Sequence, residues 1–341
     1  MDGTCENPNC TVATTGNCLL SQPDPKECPH FRSGGVVGAP SAVDAVKIGD
    51  EGPSVNVKQG GGRKFHLGNE LGAEDAVEIM RARYTHLIGV LGSTDAGKTC
   101  LLSSLYLMAS GGTLPAGYKF AGSLTLQAFQ DRARGVREWQ DGKLPAQLAD
   151  HTILTDPRQP SLLHLAVRES AGERRRLDLL LTDLPGEWTD NLVLHAANAA
   201  SFDFLQRADG IILVVAGTLL MSDNRHIELQ HMRQFVERLT NEVKLSRDIS
   251  FVVLVSKSDE IGMQIPAAAT ELKEHIESLG FSATTISAAA FSRTPDETKS
   301  GTGVFDAIEV LLTKTGVNNS ASLADVDVGG GNGRTFQKFR K

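Results

Sequence analysis

Residues 91–100 read LGSTDAGKTC, and this stretch gives the strongest indication of the fold of the chain. From Gly92 to Thr99 it matches GxxxxGK[ST], the pattern of a phosphate-binding loop. Glycines in such a loop let successive backbone N–H groups turn toward phosphate oxygens, and the helix that follows adds partial positive charge. An apolar strand pattern precedes the stretch and a helical pattern follows it, as the motif requires. A chance match on a glycine-rich turn is the alternative.

The side chains of this loop predict its ligands. Lys98 is expected to reach the β- and γ-phosphate oxygens, and the Thr99 hydroxyl is expected to bind Mg²⁺. Cys100 lies at the start of the helix, where we interpret it as a packing residue rather than a redox sensor. The residues predicted to line the nucleotide site here are Gly92, Ser93, Thr94, Asp95, Ala96, Gly97, Lys98, Thr99 and Cys100.

The composition excludes several functions. The chain has 341 residues, a net charge of −7 and 40% hydrophobic residues, which is enough for a large core and about two domains. A mildly acidic chain with 5% aromatic residues offers neither a basic surface nor a stacking platform, so no nucleic acid is expected as a partner. There is no apolar run of about 18 residues and no signal-peptide pattern, so we expect a cytoplasmic protein without a membrane span.

Strand and helix patterns alternate from Tyr84 to about Thr315. Several of the strands are almost continuously apolar, which predicts an α/β fold with a mostly parallel sheet and helices on both faces. Two of the strands, SLLHLAV and LDLLLTD, are joined by a short polar turn. We divide the chain into a Cys-rich module (1–31), a flexible linker (32–70), the α/β domain (71–315) and a disordered tail (316–341).

A second motif follows the strand LDLLLTD. Asp183 ends this strand and Gly186 comes three residues later, which gives the pattern DxxG. An acid at the C-terminal end of a neighbouring strand can hold Mg²⁺ through water, and the Gly186 N–H can meet a γ-phosphate. An ordinary turn at the end of a strand would explain the same residues.

Two further patterns point to guanine as the base. Ser256, Lys257 and Asp259 form SKSD at the end of another apolar strand. The Asp259 carboxylate can accept hydrogen bonds from guanine N1–H and from the exocyclic amine, a donor pair that adenine lacks, and the Lys257 stem can lie over the base. Ser287 and Ala288 follow the last strand, where a backbone N–H can reach guanine O6. All these motifs end strands, at the edge where open α/β sheets bind ligands.

In that order, Lys98, Asp183, Gly186 and Asp259 resemble the G motifs of the translation-factor-related (TRAFAC) class of P-loop GTPases. The N-terminal cysteines, with IMRARYTHLIGVLGSTDAGKT, YKFAGSLTLQAF, LLHLAV and DLPGE, resemble a bacterial group called double-GTPases. The resemblance spans residues 1 to about 315. It implies a G domain that hydrolyses GTP to GDP with Mg²⁺ in a bacterial conflict or defence system. It also implies a second GTPase, or another protein of that system, as the partner.

The sequence departs from the G pattern at two residues. Ser256 stands where Asn or Thr is usual, which predicts a weaker contact to the phosphate loop. Glu187 follows Gly186 where Gln is common among the relatives. A carboxylate can accept a hydrogen bond from the attacking water but cannot donate one to the γ-phosphate. We therefore expect Glu187 to orient water and intrinsic hydrolysis to be slow.

Between Thr99 and Asp183 the chain is longer than a minimal G domain needs. The extra segment, around FAGSLTLQAFQDRARGVREW, is expected near the switch region. Thr155 is our choice for the switch threonine, with Thr152 second, and a plain loop residue is an equal alternative. No arginine finger can be assigned. Its candidates are Arg158 and the run Arg174, Arg175 and Arg176, although a solvated turn explains the run better.

The N-terminal module contains Cys5, Cys10, Cys18 and Cys28, with His30 close behind. This block has too few apolar residues to fold by burial. A structural Zn²⁺ held by four thiolates, or by three with His30, is the interpretation we favour, and it predicts a docking module. A pair of disulfides or redox-active thiols are the alternatives.

Three functions are compatible with these residues. The first is a GTPase switch whose nucleotide state sets its affinity for a partner. The second is a nucleotide-binding scaffold with little turnover, and the third is an ATPase that only resembles a G protein. The base preference of an Asp259→Asn variant separates the first from the third.

Overall fold

The computed structural model describes residues 3–5, 31–33, 68–137, 160–172 and 174–322, and the side chains only as far as 313 in the last helix. The chain divides into two units, Met1–Arg63 and Lys64–Lys341. In the first unit, β1 (Gly3–Cys5) pairs antiparallel with β2 (Phe31–Ser33). The second strand therefore extends into the segment that we predicted to be a linker.

A seven-stranded sheet forms the centre of the second unit. Its strands are β3 (Thr85–Leu91), β4 (Tyr118–Gly122), β5 (Leu162–Glu169), β6 (Arg176–Thr182), β7 (Gly210–Ala216), β8 (Ser250–Ser256) and β9 (Ser282–Ser287). They lie in the order β4-β5-β6-β3-β7-β8-β9. Strands β6, β3, β7, β8 and β9 are parallel, and β5 runs antiparallel to both of its neighbours.

Helices connect these strands. They are α1 (Ala73–Ala82), α2 (Lys98–Ser110), α3 (Leu126–Arg137), α4 (Gly186–Leu194), α5 (Gly217–Leu220), α6 (Arg225–Glu242), α7 (Ala267–Ser278) and α8 (Val304–Ser322), with 3₁₀ helices at Ala196–Arg207 and Ser258–Ile261. The predicted α/β class with a mostly parallel sheet is confirmed. Helix α8 continues past residue 315, where we expected the domain to end.

Buried apolar residues cover both faces of the sheet, because side chains alternate along each strand. On one face Ile88 packs with Phe129 of α3 and Phe305 of α8. On the other face Leu87 packs with Phe235 of α6. Strands buried on both sides explain the continuous apolar runs in the sequence.

The extra segment before β5 forms strand β4 and helix α3, and the sequence analysis did not predict the strand. His164 of β5 holds the start of the helix. The Thr125 hydroxyl accepts from the His164 N–H at 2.9 Å, and the Leu124 N–H donates to His164 Nδ1 at 3.0 Å. Upstream, Gly68 accepts from the Ala128 N–H at 3.0 Å, so the last residues of the predicted linker contact α3. This docking brings α3 to the edge of the sheet where β6 ends.

Candidate nucleotide site

The phosphate loop joins β3 to α2, and its glycines have the geometry that the motif predicts. Gly92 has φ +151°, and a Cβ there would lie 2.2 Å from the Val214 carbonyl oxygen. Gly97 has φ +95° and is the N-cap of α2. Side chains rarely adopt such φ values, so glycine is required at both positions. The loop therefore turns its backbone tightly against β7 and enters the helix directly.

Lys98 is buried at the centre of this loop. Its Nζ donates to the carbonyl oxygens of Gly92 and Ser93, each at 2.8 Å. An ammonium has three donors, so within the described residues one N–H remains for a phosphate oxygen. Burial lowers the pKa of Lys98, and four nearby carboxylates, that of Asp183 foremost, oppose the shift. The lysine is thus held in place before any phosphate arrives.

The DxxG segment lies directly against the loop. Asp183 is completely buried. A Cβ on Gly186 would lie 2.4 Å from both the Cα and the N of Thr94, so only glycine fits there. Thr189, one turn into α4, donates its hydroxyl hydrogen to the Gly92 carbonyl at 3.1 Å. Helix α4 therefore begins on top of the phosphate loop.

Ser256 contacts the phosphate loop directly. Its hydroxyl lies 2.6 Å from the Ala96 carbonyl oxygen and 3.3 Å from the Val215 carbonyl oxygen. A hydroxyl is shorter than the Asn side chain usual at this position, but the loop comes close enough for it to reach. The segment that we assigned to the base therefore contacts the segment that we assigned to the phosphates.

Asp259 is buried beside this contact. One carboxylate oxygen, Oδ2, accepts from the Arg293 N–H at 2.8 Å. A carboxylate offers about four lone-pair positions, so capacity remains for two donors of a guanine base. Lys257 has a left-handed backbone with φ +54°, which turns the chain at the end of β8. This arrangement suits the predicted base contact.

Ser287 is the last residue of β9, and Ala288 follows it. The Ala288 N–H donates to the Val255 carbonyl at 2.8 Å, and the Ser287 hydroxyl reaches the Gln264 carbonyl at 3.4 Å. The Ala288 N–H, one of the two backbone donors predicted for guanine O6, is thus already bonded to β8. Its role toward the base stays a prediction.

Glu187 lies near the loop, since its charge acts on Lys98, whereas the run of arginine candidates lies apart from the loop. Glu187 is exposed, at the second position of α4. Arg175 and Arg176 pair with Glu169 and Asp178 near the turn between β5 and β6, at the end of β6 away from Asp183. Arg174 shares this turn, with φ +51°. Thr155, Thr152 and Arg158 lie outside the described residues.

Most of the predicted zinc ligands lie outside the residues that the structure describes. Cys5 ends β1, where only its backbone is described, and Cys10, Cys18, Cys28 and His30 lie outside the described residues. In the part of the chain that the structure describes, no group of three His, Cys, Asp or Glu side chains could hold a metal ion. The zinc site stays a prediction. Burial raises the pKa of Cys100, with Lys257 opposing the shift, which fits a packing role for this thiol.

The sequence analysis missed Glu228 and Arg132, which contact predicted site residues, and Glu70, which contacts Arg132. Ser93 donates its hydroxyl hydrogen to Glu228 of α6 at 2.8 Å, and Glu228 is buried. Arg132 of α3 forms ion pairs with Asp183 and with Glu70. Their partners are far away in sequence, so no local pattern marks them. Only the position of Arg132 in the extra segment hinted at a place near the site.

The residues around Asp183 fit a magnesium ion. The Asp183 carboxylate and the Thr99 hydroxyl are hard oxygen ligands, the kind that Mg²⁺ binds. Ser161 lies opposite Asp183 across the β5–β6 pair, where the Asp183 N–H donates to the Ser161 carbonyl at 3.0 Å. The Ser161 hydroxyl is buried without a hydrogen-bond partner among the described residues. An orphaned hydroxyl beside a buried carboxylate is suited to contact a water of a hydrated cation.

The fold and this site define a P-loop nucleotide-binding protein. The sequence model of the family called Double-GTPase 2 matches residues 86–312, and the chain belongs to this family. The match covers the sheet from β3 to β9, with every G motif considered above. The resemblance drawn from the sequence is thereby confirmed over these residues, and with it the assignment to GTP-binding proteins, whereas the N-terminal cysteines lie outside the match.

Solved structures of other proteins share similarity with the chain at low sequence identity. The chain is similar to the signal recognition particle receptor SRb-GTP/SRX complex from Chaetomium thermophilum, with 13% identity and a TM-score of 0.39 over 68% of this chain and 99% of that one. It is also similar to a mutation variant of SsGBP, with 14% identity and a TM-score of 0.32 over 75% of this chain and 62% of that one. Comparison with curated proteins found no match. Among the described helices, none has the length and apolar content to cross a membrane.

Proposed function

We propose that this chain is a cytoplasmic GTPase switch, which binds GTP with Mg²⁺, hydrolyses it slowly to GDP, and changes its affinity for a partner with the nucleotide state. The observation that carries the proposal is the contact of Ser256 with Ala96. It joins the segment that carries Asp259 to the phosphate loop. The family membership suggests a bacterial conflict or defence system as the setting, with a second GTPase as the partner.

Guanine selectivity is assigned to Asp259. Its carboxylate is buried, and the Arg293 N–H fixes one of its oxygens at 2.8 Å. A buried site that is built to accept two hydrogen bonds rejects a base without the donors, because the acceptor would be left unpaired. Adenine lacks the donor pair, so GTP is the expected ligand.

The test is the base preference of the Asp259→Asn variant. An amide offers a donor where the carboxylate only accepts, so we expect weaker binding of GDP and a gain for xanthosine diphosphate. Glu260→Gln is the matched control, because it makes the same change one residue away on a side chain that pairs with Arg293 at 3.2 Å. Equal binding of ATP and GTP by the unaltered chain would refute the assignment and favour the ATPase alternative.

Hydrolysis is assigned to residues at the loop and at α4. Lys98 neutralises charge on the phosphates, Thr99 and Asp183 hold Mg²⁺, and the Gly186 N–H meets the γ-phosphate. Mg²⁺, when bound, stabilises the charge that develops on the β- and γ-phosphates. Glu187 accepts a hydrogen bond from the attacking water, and the role of Thr155 as a switch threonine is part of the same proposal. A finger from a partner can add on the order of 10³ to 10⁵ in rate.

Single-turnover hydrolysis of bound GTP tests this assignment. Lys98→Ala should abolish nucleotide retention, and Glu187→Ala should retain GTP but slow its hydrolysis. Glu187→Gln restores a donor and should turn over at least as fast as the unaltered chain. If Glu187→Ala hydrolyses GTP at the unaltered rate, Glu187 has no role in the reaction.

A scaffold with little turnover is the second candidate, and the pairing of Asp183 with Arg132 favours it. A carboxylate that is already neutralised within the protein holds Mg²⁺ less strongly. Retention of GTP without measurable hydrolysis, with or without the partner, would select the scaffold over the switch.

A further inference from the structure

Glu70, Arg132 and Asp183 form an ionic cluster at the nucleotide edge, which we call the Arg132 cluster. The Arg132 guanidinium donates through Nε to Asp183 and through one terminal nitrogen to Glu70. Its other terminal nitrogen donates to the Ala128 carbonyl at 3.0 Å. All three nitrogens therefore have partners. They come from the segment before α1, from α3 itself and from the end of β6.

Burial makes this cluster strong. The side chain of Arg132 is 11% exposed and that of Asp183 is 0% exposed, whereas that of Glu70 is 24% exposed. Charge-assisted hydrogen bonds are screened little when water is excluded. The bond to Asp183 is thus the more buried of the two. The bond to Glu70 is the one that solvent can reach.

The same carboxylate faces the place of the magnesium ion. Burial lowers the pKa of Lys98 and the charge of Asp183 opposes this shift, so Asp183 lies near the ammonium of the phosphate loop. Ser161, opposite Asp183 in the sheet, has a buried hydroxyl without a partner among the described residues. Directly opposed residues of an antiparallel pair point to the same face. Ser161 and Asp183 therefore present oxygens to one small region, and the guanidinium neutralises the charge of that region.

We propose that Arg132 is a positioning residue that competes with Mg²⁺ for Asp183. Without the metal, Arg132 holds the carboxylate and ties α3 to the nucleotide edge. When Mg²⁺ arrives with the nucleotide, Asp183 turns to the metal and Arg132 keeps Glu70 and the Ala128 carbonyl. The position of α3 then reports whether the metal is bound. This inference rests on the proposed binding of a magnesium nucleotide.

The competition predicts opposite effects for two changes in one cluster. Arg132→Gln removes the competing charge, so Mg²⁺ should bind at about tenfold lower concentration. Glu70→Gln removes the second negative charge that attracts Arg132, so the guanidinium pairs more strongly with Asp183 and Mg²⁺ should bind at a higher concentration. If the Arg132 cluster served only to hold α3 in place, both changes would weaken that attachment. They would not move the metal midpoint in two directions.

The experiment uses the full chain loaded with a fluorescent GDP analogue, mant-GDP. Its release is followed after excess unlabelled GDP is added, over a series of Mg²⁺ concentrations, and the midpoint of the Mg²⁺ effect is read for each variant. Arg134→Gln is the matched control, because Arg134 lies on the same helix and its side chain is 76% exposed. It carries the same change of charge, and its midpoint should stay that of the unaltered chain.

Midpoints that fall for Arg132→Gln and rise for Glu70→Gln, with Arg134→Gln unmoved, support the competition. Equal midpoints, or shifts in one direction for both cluster variants, overturn it. If Arg132→Gln does not fold, Glu70→Gln against Arg134→Gln decides, and an unmoved midpoint for Glu70→Gln overturns the proposal. If the chain binds mant-ADP and not mant-GDP, the proposed guanine specificity fails, and the same series with mant-ADP still tests Arg132. Binding of neither overturns both.

Discussion

Strand β6 carries two buried aspartates, Asp178 near its start and Asp183 directly after its end, and both are paired with arginine. Asp178 accepts from His164, Arg176 and Arg83. Asp178 is surrounded by residues of the sheet and of the turn between β5 and β6. Asp183 lies instead beside the phosphate loop, within the field of Lys98.

The two aspartates differ in where their charge is satisfied. Around Asp178, the Leu124 N–H donates to His164 Nδ1, so a neutral His164 carries its proton on Nε2 and donates it to Asp178 at 3.0 Å. This charge is satisfied inside the protein and stabilises the fold. Asp183 instead acts on the buried Lys98 of the phosphate loop, where the proposed Mg²⁺ would bind. We infer that the first aspartate serves stability and the second serves the ligand.

Replacing Asp178 should have the largest effect on stability. Asp178→Ala leaves the His164 Nε2–H buried without an acceptor and removes the partner of Arg176, so we expect a loss of about 3–5 kcal/mol. Urea unfolding followed by circular dichroism measures it. Nucleotide binding by the folded fraction should survive. A variant as stable as the unaltered chain would contradict the stabilising role that we infer for Asp178.

Replacing Asp183 should act on the ligand instead. In Asp183→Asn, Mg²⁺ should no longer slow GDP release, and hydrolysis should fall by on the order of 10² because the metal is held poorly. Stability should fall by only about 1–2 kcal/mol, since the amide oxygen still accepts from Arg132. Unfolding and mant-GDP release are measured on one preparation. A stability loss equal to that of Asp178→Ala would make the two aspartates equivalent.

The pH dependence of stability gives a second test of the role of Asp178. Burial alone raises the pKa of Asp178, but the bonds and charges of His164, Arg176 and Arg83 outweigh it, so its pKa lies below the ordinary 3.8. A lowered folded pKa means stability that is present above the unfolded value and lost as the pH falls toward the folded one. The gap in unfolding free energy between the unaltered chain and Asp178→Asn should therefore shrink by about 1 kcal/mol between about pH 6 and about pH 3. Urea unfolding across this range checks it, and a gap that widens in acid would contradict the assignment.

Arg83 should contribute least. Its bond to Asp178 is 3.4 Å long, and its side chain is 51% exposed, so solvent screens the pair. We expect Arg83→Gln to cost no more than about 0.5 kcal/mol in the same urea assay. A loss above about 2 kcal/mol would show that the charge around Asp178 is shared more widely than the burial suggests.

The sequence predicted the parts of the site that local geometry controls. The glycines of the phosphate loop are needed because Gly92 and Gly97 have backbone angles that other residues avoid. Strand LDLLLTD was predicted because a strand buried on both faces is apolar at nearly every position. The sequence predicted a weak contact between Ser256 and the phosphate loop. The structure shows a close one, with the Ser256 hydroxyl 2.6 Å from the Ala96 carbonyl oxygen. That distance depends on how β8 and the loop pack.

From the sequence alone follow the α/β class, the order of the G motifs and the prediction that Asp183 binds Mg²⁺, because these depend on periodicity and on spacings of a few residues. The tertiary structure was needed to show that Arg132 pairs with Asp183 and with Glu70. Arg132 and Asp183 are 51 residues apart, and Glu70 and Arg132 are 62 residues apart. Pairs so distant along the chain meet through the docking of α3 on β5. That docking depends on packing and on the hydrogen bonds of His164, which no local pattern encodes.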